Sequence, residues 1–295
     1  MSTLSLIIKQ IINALQLGSI FALIALGYSM VYGIIRLLNF AHCDIIMVGA
    51  YISWYFMTNF ANMPYLAVAA AIFGCTLLGV AIEKVAYTPL RGSPRISLLI
   101  TAIGVSYLLE NTAQLWLGAA AKSVPPFFKV TTLSFMGLSV STTSVVTIAV
   151  VTVSMTALTL LVQKTKMGRA MRAVSEDSQT AQLMGTNINA TISFTFAIGS
   201  ALAGIGSVLY CCAYNQASPT MGSMLGLKAF VAAVLGGIGS IPGAIVGGFV
   251  IGLTEVFVSS IGLSTWKDAV VFLILIIVLL VKPTGLLGKQ VNEKV

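Results

Sequence analysis

The chain has 295 residues, of which 58% are hydrophobic and 8% charged, and its mean hydropathy is +1.00. Soluble domains carry about 25% charge, so a soluble domain is excluded. The formal net charge is +8, but the cations lie beside apolar runs, the pattern of a multi-pass membrane protein with basic cytoplasmic loops, and no nucleic-acid partner is expected.

The first apolar segment runs from about Ile11 to Ile35, broken by Gly18, Gly27 and Gly33. It is too long for the core of a secretory signal and shows no clear cleavage site, so it is expected to be retained. A polar knot follows, Arg36-Leu-Leu-Asn39-Phe-Ala-His42-Cys-Asp44, with little chain before the next apolar run, Ile45 to Phe60. Asn39 is placed to cap that next helix, with His42 and Asp44 in its first turn, and Asn39, His42 and Cys43 share one side at helical spacing. Two readings stay open: a polar lining of a solute pathway, or a tight cytoplasmic turn with Asp44 on the helix dipole and Arg36 snorkelling. His42 has no nucleophile or metal-ligand partner at suitable spacing, so it is given no catalytic role.

Met63-Pro64 marks a turn into a third segment, Tyr65 to Ala81, which ends in Glu83-Lys84 and a loop bearing proline and arginine up to Arg95. A fourth segment, Ile96 to Leu117, contains Glu110. A polar Pro-Pro loop with β-branched stretches and two lysines, Lys122 and Lys129, covers Ala119 to Thr143, and a fifth segment spans Ser144 to Val162.

The longest polar interruption is Lys164 to Ile188, KTKMGRAMRAVSEDSQTAQLMGTNI. Backbone and charge on this scale need solvent, so it lies outside the hydrocarbon. One short amphipathic helix is predicted from Glu176 to Met184. Ser175 is its N-cap, Glu176 and Asp177 occupy its first turn, Val174, Ala181 and Met184 share a face, and Gly185 is the stop. Such a helix suits docking, while the alternative is a solvated loop that only sets orientation.

A sixth segment spans Ala190 to Tyr214, a short one Leu225 to Leu235, and the last two Ala244 to Ile261 and Ala269 to Val281, followed by a basic tail. Positive-inside counting puts the 84–95 loop, the 164–172 region and the tail in the cytoplasm. An odd number of full crossings is expected from the sixth segment to the tail, making one of the last three segments re-entrant or broken, with Leu225–Leu235 the prime suspect. The glycine-rich break Gly236–Gly243 and the knot at Arg36–Asp44 interrupt corresponding parts of the two halves, which makes Asn39, His42, Asp44, Gly236 and Gly237 candidates for a pathway. Glu110 and Glu255 are intramembrane acids close to segment ends and carry less weight. The spaced small residues of Gly243–Gly252 and of Ala201, Gly204 and Ser207 fit close helix packing, and Cys43, Cys75, Cys211 and Cys212 fit small core positions. The fold expected is an all-α integral membrane bundle of about eight or nine apolar segments in one domain, residues 1–295.

No G-x-x-x-x-G-K-[ST] phosphate loop and no chain of intramembrane acids is present, so any energy for transport is expected from another subunit. Beside this stand an ion-coupled secondary transporter and a passive channel for a small neutral solute.

Three stretches together resemble one family: GSIFALIALGYSMVYGIIRLLNFAHCDIIMVGAY (Gly18–Tyr51), the region Gly168–Gly206, and LGGIGSIPGAIVGG (Leu235–Gly248). Together they resemble the branched-chain amino acid ABC permeases of the LivH/LivM type, the LivH-like half in particular. The resemblance implies an inner-membrane importer with a second, LivM-like permease subunit, two cytoplasmic ATPases and an extracytoplasmic binding protein. ATP and Mg would then sit on the ATPases, with no cofactor or metal on this chain. It also implies that Glu176, Asp177, Ala181, Met184 and Gly185 belong to an ATPase-coupling element. Cys43 stands where the family commonly has glycine, and related permeases carry urea or short amides.

Overall fold

The computed structural model describes residues 3–35, 39–60, 63–128, 131–135 and 138–288. Arg36, Lys129 and the end of the basic tail lie outside them. The nine apolar segments are all helices: α1 (Thr3–Ile35), α2 (His42–Asn59), α3 (Pro64–Ile82), α4 (Arg95–Leu117), α5 (Thr142–Lys164), α8 (Ile188–Tyr214), α9 (Met221–Gly236), α10 (Ile241–Ser260) and α11 (Lys267–Val281). Two further helices, α6 (Lys166–Glu176) and α7 (Ser178–Leu183), fill the long polar interruption. Among the described residues seven helices are long and apolar enough to cross a membrane, and α2 and α9 are not among them. The protein is a multi-pass membrane protein.

Local chemistry sets the helix ends. Pro64 opens α3, where a missing N–H costs nothing. Ser141, Asn187 and Ser240 cap α5, α8 and α10 by accepting from Thr143 N at 3.2 Å, Ala190 N at 3.0 Å and Gly243 N at 3.2 Å.

Helices α1 and α8 form the buried centre. The small residues place α10 against α1: a side-chain carbon at Gly248 would come within 2.6 Å of Ala22 Cβ, and one at Gly252 within 2.7 Å of the Ala14 carbonyl oxygen. A carbon at Gly204 would likewise meet the Ala71 carbonyl of α3 at 2.9 Å. Without water to drive helices together, such close backbone approach is what holds them. The glycine stripes therefore work within the chain.

Four helices follow the polar interruption, in the order α8, α9, α10, α11. The odd count was wrong, because a chain that leaves the cytoplasm and returns to it crosses an even number of times. Helix α9 is nonetheless short, at 16 residues or roughly 24 Å, less than the roughly 30 Å of hydrocarbon.

Two short antiparallel pairs lie in the loops opposite the basic face, β1 (Lys122–Ser123) with β4 (Gln216–Ala217) and β2 (Thr132–Phe135) with β3 (Leu138–Ser141). The β-branched stretches of the 119–143 loop supply the second pair.

Candidate functional site

Three places hold chemistry that an apolar bundle would otherwise lack. The first is the start of α2. Its first residue, His42, presses its ring on Gly27, eight residues before α1 ends, so α2 begins about 12 Å inside the bundle. The start of α2 therefore lies beside the interior of α1 rather than beyond its end. Asn39, His42 and Asp44 are each 1–2% exposed. The Tyr28 and His42 rings meet edge-on at 5.1 Å, and the Cys43 thiol lies 3.4 Å from Tyr28 Oη.

Asn39 does not cap α2. Ala41 occupies the N-cap position with no side-chain bond, and the Asn39 Oδ1 instead accepts from the Tyr87 hydroxyl at 2.8 Å. The donor lies 48 positions away, beyond the reach of local pattern reading. Asp44 falls in the first turn as expected. Asn39 Nδ2, His42 Nε2 and Asp44 Oδ1 have no hydrogen-bond partner among the described residues, and buried polar atoms of that kind mark places where function outranks packing. The first turn of α9 closes the cluster, since a carbon added at Gly222 would meet Asp44 Oδ1 at 2.5 Å.

Gly236 and Gly237 lie elsewhere, at the far end of α9. Gly236 packs backbone to backbone on Gly243, and Gly237 takes a left-handed φ of 108°. The chain after α11 folds onto this turn, Leu286 N donating to Leu235 O and Leu287 N to Gly236 O, both at 2.9 Å. The glycine-rich break is thus a clasped turn between α9 and α10. What comes close to the knot at residues 39–44 is the other end of α9.

The second place is the polar interruption. In place of one helix from Glu176 to Met184 there are two. Thr165 caps α6, its Oγ1 accepting from Gly168 N at 3.0 Å, and α6 buries Gly168, Met171 and Val174 on one stripe. Its other sides carry Lys166, Arg169 and Arg172, which disguise it as a loop in the sequence.

Asp177 breaks the run. Its backbone is extended and its carboxylate accepts from Gln179 N at 2.9 Å and Thr180 N at 3.2 Å, so Asp177, not Ser175, caps α7. The Thr180 hydroxyl and amide hold the Asp177 carboxyl below its ordinary pKa. Glu176 is the last residue of α6, not the first of a new helix.

Gly185 ends α7 as expected, at φ 83°, with Gly185 N donating to Gln182 O and Thr186 N to Ala181 O, both at 3.0 Å, the double bond of a Schellman end. Ala181 is buried, but Met184 does not share its face. Met184 is 82% exposed and Leu183 is 87% exposed. They form a small apolar knob at the end of a charged module.

Below this module the 83–95 loop is bolted to α8. Glu83 is fully buried. Its Oε1 accepts from Thr88 Oγ1 at 2.8 Å and from the Arg91 guanidinium, and its Oε2 accepts from Ser193 Oγ at 2.7 Å. Arg91 also donates to Asn189 Oδ1. Glu83 opens a π-helical turn, Glu83–Tyr87, that carries Tyr87 to Asn39. The 83–91 segment is therefore bonded to the polar knot through Tyr87 and to the first turns of α8 through Glu83 and Arg91.

The third place went unread in the sequence. Lys228, in the short α9, lies 2.6 Å from Glu255 Oε1 of α10 and 2.7 Å from Asp268 Oδ1 of α11. Lys228 passes easily as one stray cation in an apolar run. The signal that would have found it is the pairing of that cation with Glu255, an acid in the next apolar segment.

A helical bundle with seven candidate spans among the described residues, two shorter inner helices, buried polar groups and an exposed amphipathic module defines the class: a membrane transport protein. The family described as "Branched-chain amino acid transport system / permease component" matches residues 10–279, and the chain belongs to it. The chain is 42% identical to the high-affinity branched-chain amino acid transport system permease protein BraD of Pseudomonas aeruginosa, covering 98% of both chains. It is also 42% identical to LivH of Escherichia coli, covering 98% of this chain and 97% of that one. A probable LivH of Methanocaldococcus jannaschii is 27% identical over 94% of this chain and 91% of its own. No solved structure matches.

Proposed function

We propose that this chain is the membrane-spanning permease subunit of an ATP-driven importer for branched-chain amino acids in the inner membrane. The observation that carries the reading is the α6–α7 module, a twice-capped unit that ends in Leu183 and Met184 facing solvent. Bare apolar side chains on a charged, extramembranous knob are what a partner surface covers. The partner proposed is a cytoplasmic ATPase, present twice, that binds ATP and Mg; this chain carries no cofactor of its own.

A LivM-like second permease subunit and an extracytoplasmic binding protein complete the assembly. Glu176 and Asp177 orient the module, Ala181 seats it on the bundle, and Met184 and Gly185 shape its tip. Asn39, His42 and Asp44 line the pathway. The clasped turn at Gly236–Gly237 holds α9, whose first turn faces them. The branched-chain substrate is carried over from the names of BraD and LivH.

The test is uptake of leucine into vesicles holding this chain with the subunits encoded beside it. Uptake should require ATP and binding protein, and urea should not compete. Uptake driven by an ion gradient with this chain alone would overturn the reading.

A further inference from the structure

The Lys228 cluster is unusual in its charge balance. One ammonium faces two carboxyl groups, so the triad holds one more acid than base, and Glu255, 3% exposed, stands where an unpaired charge is costly. It lies toward the outer face, because Glu255 is five residues before α10 ends and Asp268 is the second residue of α11, at the end opposite the clasped turn.

Two cavities meet there. One, of about 180 Å³, is lined by the polar Lys228, Lys267 and Tyr214 and by the apolar Leu17, Phe21 and Met221. Its neighbour, of about 220 Å³, shares Leu17, Tyr214 and Lys267 with it and includes Glu255. Lys267 has no carboxylate within ion-pair distance among the described residues.

The site thus holds an uncommitted cation, a surplus acid and an apolar wall in one small space. We propose that it is an outer-face reception site for an apolar α-amino acid in its zwitterionic form. Lys267 takes the α-carboxylate, Glu255 takes the α-ammonium with Asp268 holding Lys228 from behind, and Leu17, Phe21 and Met221 take the aliphatic side chain. Either end of the zwitterion finds its opposite charge, and the triad loses its surplus when the substrate ammonium arrives. A site of a few hundred Å³ suits a small solute. The inference rests on the importer reading, and it names where the substrate first meets this chain.

The experiment is direct binding of radiolabelled L-leucine to the purified permease–ATPase complex with the binding protein left out. 3-Methylbutylamine and 4-methylpentanoate, leucine without its carboxylate and without its ammonium, serve as competitors. Each is expected to bind at least about tenfold more weakly than leucine, the size of one charge-assisted hydrogen bond. In Lys267→Met, leucine and the amine should bind alike; in Glu255→Gln, leucine and the acid should bind alike. Lys267 is half-buried and makes no ion pair among the described residues, so Lys267→Met keeps the fold even if Glu255→Gln does not, and size-exclusion of the assembled complex checks both.

Leucine binding that is absent, or unchanged in Lys267→Met, overturns the site. ATP-driven uptake by the same wild-type preparation separates the two claims. Uptake without direct binding removes the reception site alone, whereas no uptake removes the importer reading beneath it.

Discussion

Removing Glu83 tests whether the 83–95 loop is mechanically fastened to α8. The side chain is fully buried and accepts from Thr88, Arg91 and Ser193. Glu83→Ala leaves two hydroxyls and one guanidinium without that acceptor. Breaking a buried pair costs about 3–5 kcal/mol, and because Arg91 is 22% exposed and keeps Asn189, the lower end, about 3 kcal/mol, applies. Glu83→Gln keeps the shape and one acceptor oxygen but loses the charge and turns the other oxygen into an NH2 donor, at about 1.5 kcal/mol.

Thermal unfolding of the solubilised complex should therefore rank wild type above Glu83→Gln above Glu83→Ala. Leucine uptake should fall in the same order while basal ATP hydrolysis persists. In an Arg91→Met background the Glu83→Ala penalty should shrink by at least about 1 kcal/mol, since the two side chains share one interaction. Three variants that unfold with wild type and transport normally would refute the fastening and, with it, the link from α8 to the polar knot.

Gly185→Pro forces φ near −65° where the chain holds 83° and removes the N–H that Gln182 accepts, at a cost of about 1–3 kcal/mol of local strain; ATP hydrolysis should run without uptake while the chain still inserts. Charge reversal at the exposed Glu176 should uncouple in the same assay by repelling the docked partner. Asn39→Leu leaves the Tyr87 hydroxyl without its acceptor, about 1–3 kcal/mol, so uptake should drop while the complex still assembles, and normal kinetics would return the stretch to an ordinary turn. The Asp177 carboxyl is held below its usual pKa, so its capping is present above the unfolded value and is lost as pH falls through the depressed folded value. A spin label at position 183 should accordingly loosen only below the ordinary aspartate range, and Asp177→Asn should abolish that acid step.

The spans were legible because an apolar run of about 20 residues has few other uses. Segment ends such as Pro64 and Gly185 were legible for local reasons, ring geometry in one and left-handed backbone in the other. Helix α6 was not, because its buried stripe is only Gly168, Met171 and Val174 amid cations, a pattern a solvated loop shares. The cap of α7 was misplaced by two residues, Ser175 and Asp177 being equally good caps by type, and only the extended backbone at Asp177 decides between them. The partners of Asn39 and Lys228, and the Ser193 partner of Glu83, lie far along the chain, so local pattern did not show their roles.

In the proposed importer Leu183 and Met184 form a cytoplasmic grip that an ATPase covers. Replacing Leu183 with cysteine and labelling with a membrane-impermeant maleimide tests it; Cys43, Cys75 and Cys211 are buried and Cys212 is half-buried, so the background is low. Labelling should occur in inside-out vesicles alone and fade when the ATPase subunits are added back. Labelling from the outer side, or labelling that the ATPases leave undiminished, would contradict the account.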